Sequence, residues 1–470
     1  MHRRDQRLQS IFLVLACGSI AAGQSAGMFT ATGSMITPRF GHMSILLPDG
    51  KVLIAGGQTT CFAGEPGPCA TPSSAELYNP ATGTFSTAGF MTTANLVLGA
   101  VLPDGRVLFA GSNLTHTQVM AEIYDPAAGT FTVAGVSQTL IDIYSAALLR
   151  DGRALLNGRT SSSFGAEFYD PVTATLAPAV INWPPGMGGI WYPLAVLVDG
   201  RVLFDTPGLY DPAAGTFNLV SGGPFQHLND DPASTVLING QVLLTGGNTD
   251  GGNVNWAWLF DPAAATLSAT GNMTMPRDGH TSTLLSDGTV LIAGSSLVDG
   301  NADVTAELYD PGSSKFDFAG NMITPRYLHT ATLLPDGTVL LAGGLETSTA
   351  EIYHPAVLVP SPVLYSLPGG TQGAVWHNTT GQLASPSSPA VAGEVLAMYT
   401  NNLIEGGVIP PQVVIGGHLA EVLYFGAAPG YPGYYQVNFL VPDGLPPGPA
   451  VPVRLTYIGR SSNTVTVGVQ

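Results

Sequence analysis

Seven times along this chain an apolar run enters a turn built on Asp-Gly or Asn-Gly and leaves it as a second apolar run. The copies are ILLPDGKVLIAGG (45–57), AVLPDGRVLFAGS (100–112), ALLRDGRALLNGR (147–159), AVLVDGRVLFDT (195–206), TVLINGQVLLTGG (235–247), TLLSDGTVLIAGS (283–295) and TLLPDGTVLLAGG (332–344), about 40–55 residues apart. A unit of that length cannot bury its own apolar face, so successive copies must stack and share a core. A second signature follows most copies: AELYNPATGTF (75–85), AEIYDPAAGTF (121–131), AEFYDPVTATL (166–176), GLYDPAAGTF (208–217), AWLFDPAAATL (257–267), AELYDPGSSKF (306–316) and finally AEIYHP (350–355). Each copy therefore supplies four short strands, with a two-residue Asp-Gly hairpin between the first pair and an Asp-Pro turn between the second.

The fold expected is all-β: a seven-bladed propeller over 28–355. Composition agrees, with 10% charged residues, 59 Gly and 37 Pro, which favours short strands and tight turns over solvated helices. Runs such as VLIAG and VLFAG are apolar on both faces, as inner strands covered by neighbouring blades must be. The seventh copy stops at Tyr353-His354-Pro355, whereas FTATGSMITPR (29–39) matches FDFAGNMITPR (316–326). A strand at 29–33 is thus expected to complete the last blade and remove the open edges of the ring. Residues 356–390 read as a connector and opening strand. From 391 to 470, alternating segments such as EVLAMYT, PQVVIGG and YYQVNFLV predict a small immunoglobulin-like β-sandwich.

The first 23 residues carry Arg3, Arg4 and Arg7, an apolar run Ile11–Ala16 and small residues ending Ala21-Ala22-Gly23. This is the pattern of a signal peptide, and it points to a secreted, extracellular or periplasmic protein; acylation of Cys17 as a lipoprotein is the alternative. No later run reaches the ~18–20 apolar residues of a membrane span. Cleavage after Gly23 removes three Arg and one Asp, taking the net charge from −17 to −19, which disfavours a nucleic-acid partner. Cys61 and Cys69 then share one loop, CFAGEPGPC, and an oxidising compartment predicts a disulfide worth roughly 2–3 kcal/mol. A metal pair is the other reading of these thiols, poorly served because no His is near in sequence.

These motifs resemble the kelch family, and in particular galactose-oxidase-like propellers, over roughly 28–355. The C-terminal phrases APGYPGYYQVNFLVPDGLPPG and SSNTVTVGVQ resemble a domain common in secreted proteins of acidobacteria. Four strands per blade put the short turns at one end of the ring and the long loops at the other, where binding is normally carried. The candidate binding residues there are Trp183, Trp191, Tyr192, His227, Asp230, Asp231, Asn253, Asn255 and Trp256. Aromatic faces beside Asp and Asn suit sugar rings, so the expected partner of a monomeric binding protein is a glycan or a protein surface.

Seven positions before each turn Asp or Asn stand His42, Val97, Tyr144, Tyr192, Pro232, His280 and His329. If these side chains converge on the axis, His329, His280, Tyr144 and Tyr192 form a candidate copper set. The resemblance implies a copper ligand at His329, in HTATLLPDG, and an alcohol or aldehyde oxidase. It also implies a Cys cross-linked to a Tyr, and no Cys occupies any of these seven positions. His42, His280 and His329 moreover share a P-R-x-x-H frame with Arg39, Arg277 and Arg326, and Glu76, Glu122, Glu167, Glu307 and Glu351 recur with them. That repetition predicts a structural role, with the Glu carboxylates holding backbone groups or the Arg. Oxygen-rich segments NTDGGN (248–253) and DGNAD (299–303) are candidate calcium ligands without a full calcium-loop spacing. Binding is favoured over catalysis, with copper-dependent oxidation and a purely structural envelope role as the alternatives.

Overall fold

A computed structural model describes residues 27–59, 70–179, 181, 192–205, 208–220, 232–249, 252–296, 302–345, 347–357 and 359–470. The described residues contain strands and no helix. Between residues 28 and 354 the described strands form seven antiparallel sheets of four strands each, six of them from strands consecutive in the chain apart from one small hairpin. Their first strands are Met43–Leu46, Asn95–Val101, Asp142–Leu148, Pro193–Val196, Ala233–Val236, Thr281–Leu284 and Thr330–Leu333. Each lies against the first strand of the next sheet, and the last lies against the first. This cyclic order is that of a β-propeller, and the sheets are numbered 1 to 7 below.

The apolar pattern positions the sheets. The second strands are buried almost throughout, and Val52–Ala55, Val107–Ser112 and Val339–Ala342 at every residue. Their side chains fill the gaps between sheets: Ile54 and Val52 of sheet 1 cluster with Leu340 and Ala342 of sheet 7, and Leu53 and Ala55 cluster with Val107 and Phe109 of sheet 2. Each such side chain contributes about 1.5–3 kcal/mol by leaving water.

The Asp-Gly turns differ from the two-residue hairpin that the dipeptide predicts. In sheet 1 the ladder ends at Leu46 opposite Val52, Gly50 N donates to Leu47 O at 2.9 Å, and Leu47 N donates to Lys51 O at 2.8 Å. The loop is therefore three residues long, with Gly50 alone at positive φ, +90°. This is a type I turn closed by a glycine bulge. Six further copies repeat the Gly N to Leu O bond, the last from Gly337 to Leu334 at 3.0 Å.

In sheet 7 the fourth strand is Met28–Ala31, paired antiparallel with Ala350–His354. Side-chain packing repeats with it. Tyr78–Phe85, Tyr124–Phe131 and Tyr309–Phe316 place rings 4.7–4.9 Å apart across the third and fourth strands of sheets 1, 2 and 6. Tyr353 meets Phe29 at 4.9 Å in the same register. Phe29 thus supplies from the N-terminus the ring that the other sheets take from their own repeat.

Residues 359–470 form two further sheets that share one core, with Leu396, Val437 and Phe439 facing Val413, Val453 and Leu455. The core also takes in Leu364, Val375, Ala384 and Ala390. This second domain sits on the turn end of the ring. Leu419 N donates to Pro103 O at 2.5 Å, Val408 N to Ile238 O at 2.9 Å, Ser461 N to Pro335 O at 3.0 Å and Ser286 Oγ to Ile458 O at 2.9 Å. Arg454 donates to Pro48 O. The turn end, bare in a reading of the repeats alone, is where the two domains meet.

Candidate functional site

The repeated Arg, Glu and His side chains build one fixture in sheets 1, 6 and 7. Arg39 Nη1 donates to Gly56 O at 3.0 Å, Arg277 to Gly294 O at 2.9 Å and Arg326 to Gly343 O at 2.6 Å. Each guanidinium also meets the Glu of its own sheet: Glu76 at 3.3 Å, Glu307 at 2.8 Å and Glu351 at 2.8 Å. The carboxylates accept backbone N–H groups as well, including Ile36 at 2.6 Å, Thr274 at 2.7 Å and Ile323 at 2.7 Å. In sheet 2, which has no such Arg, Glu122 accepts Thr92 N and Thr93 N, each at 2.8 Å. In sheet 3, Glu167 accepts the hydroxyls of Ser137 and Thr139. Each of these carboxylates thereby accepts at least one hydrogen bond, although Glu167 Oε2 and Arg39 Nε have no partner.

The imidazoles each bond a threonine of a neighbouring sheet. His42 Nε2 is hydrogen-bonded to Thr330 Oγ1 of sheet 7 at 2.9 Å, His280 Nε2 to Thr245 of sheet 5 at 2.9 Å, and His329 Nε2 to Thr281 of sheet 6 at 3.1 Å. All three rings are buried. A methyl group on Gly246 would stand 2.6 Å from His280 Cε1, and one on Gly294 2.9 Å from His329 Cε1. The ring edge between the two nitrogens is therefore walled by main chain. Burial, followed by the positive charge of Arg39 for His42 and of Arg277 for His280, pushes both pKa values down to about 3. His329 is held well below the usual range, first by burial and then by Arg326. These are neutral wedges between sheets.

The four residues of the copper set expected from sequence stand in different sheets. His280 and His329 place Nε2 on threonine hydroxyls and keep a buried Nδ1 without a hydrogen-bond partner, while Tyr144 lies in sheet 3 at a break in strand register and Tyr192 precedes the first strand of sheet 4. Among the described residues no group of three or more His, Cys, Asp or Glu is placed to hold a metal ion. Of the calcium candidates, residues 250–251 and 299–301 lie outside the described residues, and Asn248, Asn253 and Asp303 are engaged. Asp303 meets Arg277 at 3.3 Å and accepts the Thr305 hydroxyl, and the amides of Asn248 and Asn253 bond each other at 3.3 Å across a small hairpin.

Of the binding candidates, Trp183, Trp191, His227, Asp230 and Asp231 lie outside the described residues, as do Cys17, Cys61 and Cys69. Asn253 donates to Ser296 O at 2.7 Å and Asn255 to Met273 O at 3.1 Å, so both hold loops in place. Tyr192 and Trp256 begin the first strand of sheet 4 and the third strand of sheet 5, which puts both at the end opposite the turns. Their rings are 39% and 37% exposed. Trp258 packs into the core between sheets 4 and 5.

One polar group at this end has no sequence signal. His116, at positive φ in the loop of sheet 2, meets Asp142 of sheet 3 at 2.9 Å. Ser112 Oγ lies 3.4 Å from the same Nδ1, while Nε2 faces the Asn95 amide at 3.3 Å. Hydroxyl and carboxylate compete for one ring nitrogen, so the base cannot relay a proton from serine to aspartate. The set is a loop clasp.

No family model and no curated protein matches the chain. Among solved structures it is similar to a fungal alcohol oxidase of the AA5 family in complex with copper, with a TM-score of 0.60 and 15% identity over 95% of this chain and all of that one. The likeness speaks to the fold, an all-β architecture consistent with a galactose-oxidase-like propeller.

Proposed function

We propose that this chain is a secreted, seven-bladed kelch-type propeller carrying an immunoglobulin-like sandwich, and that it binds a glycan or protein surface through its loop end without catalysis. One observation carries this reading: the turn end is taken up by hydrogen bonds from the second domain to five of the seven turns. The opposite end is left to receive a partner, and the exposed rings of Tyr192 and Trp256 stand there on a rigid scaffold. Trp183, Trp191, His227, Asp230 and Asp231 complete the proposed surface. A glycan array probed with the purified chain is expected to give signals that fall on Trp256→Ala or Trp183→Ala. An array signal unchanged by both substitutions, or no signal with any glycan and no captured protein, would remove the reading.

The likeness to a copper-complexed oxidase favours a second reading, copper-dependent oxidation centred on His329. His329 and His280 each hold a threonine hydroxyl through Nε2, which leaves a buried, unpartnered Nδ1 as the nitrogen on which a metal would have to sit. Stoichiometric copper retained after dialysis, with peroxide released from an alcohol or aldehyde, would reverse the order of the two readings.

A further inference from the structure

The second domain has a cleft of about 550 Å³ whose lining is dominated by aromatic rings. Trp376 and Tyr399 rise from adjacent paired strands, Val375–His377 and Val395–Thr400, with their rings edge to face at 5.5 Å. Tyr431 continues the series at 6.4 Å from Tyr399, and Tyr434 faces Tyr365 at 5.5 Å. Tyr431 and Tyr434 share a loop tied by Tyr431 N to Ala428 O at 3.1 Å, Tyr434 N to Tyr431 O at 3.1 Å and Ala428 N to Tyr434 O at 2.8 Å. The loop is set before any ligand arrives, which lowers the entropy cost of binding. Both residues are exposed, at 63% and 43%, and neither belongs to the apolar core of the domain. Nothing in the packing of this domain requires these rings outside.

The polar part of the lining identifies the ligand. Asn378 and Gln436 bring amides to the cleft. Gln436 Nε2 is already used in a 2.8 Å bond to Asn438, leaving its carbonyl oxygen as an acceptor that needs an O–H or N–H partner. The one titratable side chain in the lining besides the phenols, His377, is buried. Its two ring nitrogens are directed at the Glu394 carboxylate and, at 2.9 Å, at Ser388 O, so it offers nothing to a ligand. A cleft without free charge, on a chain of net charge −17, selects against uronates and sulfated chains. Stacked rings edged by amides match a pyranose, whose C–H face packs on aromatic surface while its hydroxyls both donate and accept. A proline-rich segment would also pack on the rings. Its main chain is poor in donors, however, and would bury the Gln436 oxygen unpaired.

We infer that the Trp376–Tyr399–Tyr431 and Tyr365–Tyr434 cleft of the second domain is a binding site for a neutral polysaccharide, separate from the loop end of the propeller and independent of any ligand there. The test is affinity electrophoresis and calorimetry on the full-length protein with β-glucan, xyloglucan, galactomannan and xylan, beside polygalacturonate and a decaproline peptide. At least one neutral polysaccharide is expected to bind. Tyr431→Ala with Tyr434→Ala should weaken it about tenfold or more, the loss of one to two ring contacts. Tyr431→Phe with Tyr434→Phe should retain most of the affinity, and Val172→Ala, at an exposed turn residue outside both proposed surfaces, should leave it unchanged. Near-ultraviolet circular dichroism and an unchanged melting temperature would establish that the alanine variant is folded. Absence of binding to all four neutral polysaccharides, affinity unaltered by the paired alanines, or preference for the peptide or the polyanion would overturn the inference. A binding signal lost on Trp256→Ala alone would place the site on the propeller instead.

Discussion

Individual side chains in this protein are held by two opposite kinds of titration. His42 and His280 have pKa values near 3 when folded and about 6.5 when unfolded. The unfolded chain therefore binds more protons below pH 6.5, and stability falls as pH drops from about 6.5 towards 3. His377 behaves in reverse. Burial disfavours its charge, but the bonds to Glu394 and Ser388 outweigh that and raise its pKa, so its contribution is complete below about 6.5 and is lost as pH rises through the raised value. Melting curves between pH 7 and 4 should show a steep acid loss that His280→Gln flattens, whereas His377→Gln should destabilise more at pH 5.5 than at pH 8. A second residue-level expectation concerns Glu351, whose removal strands buried Arg326. Glu351→Ala should cost about 3–5 kcal/mol, measured by urea unfolding. The sequence showed these groups as a repeated set but not their partners. The Thr hydroxyls that hold His42, His280 and His329 come from a neighbouring repeat and from two different strands, so no fixed offset marks them. An equal offset from the turn marked the His as equivalent, but not the glycine backbone that lies against Cε1 of each ring.

At the level of elements, the period of the apolar runs and the Tyr and Phe positions made the sheets legible, because a strand buried on both faces has few alternatives. Turn geometry was less legible. Asp-Gly admits a two-residue or a three-residue hairpin, and the choice appears only in which N–H meets the preceding Leu carbonyl. Gly152, at φ +85° with nothing within 4 Å of an added Cβ, isolates the backbone term. Gly152→Ala should therefore cost about 1 kcal/mol from strain alone. The Asp-Pro turns give the converse test. Where Gly83 and Gly129 take φ near +65°, Ala174 and Ala265 are held at +54° and +50°. Ala174→Gly and Ala265→Gly should each raise stability by roughly 0.5–1 kcal/mol in denaturant titrations, relief of strain exceeding the entropy added to the unfolded chain. The aromatic cleft was legible only in part, as the tyrosine cluster at 431, 434 and 435, for a related reason. Its rings at 365, 376, 399, 431 and 434 come from separate strands and loops with no shared period, and only the pairing of sheets collects them.

For the whole molecule, the decisive bond is between Met28–Ala31 and Ala350–His354, which joins segments more than three hundred residues apart. Deleting residues 28–36 should expose the edge at 350–354 and leave Tyr353 without Phe29. The expected result is oligomers by size-exclusion chromatography and loss of the cooperative melt; a monomer with an unchanged melting temperature would show that the ring does not depend on this strand. The strand made first is also the one needed last, so the ring stays open during synthesis until residue 354 is available.

The hydrogen bonds from the second domain to Pro48 of sheet 1 and Pro335 of sheet 7 reach both sides of that joint. The C-terminal module thus works as a buckle: whatever it does for itself, it straps together the two ends of a belt that would otherwise be fastened by one short strand.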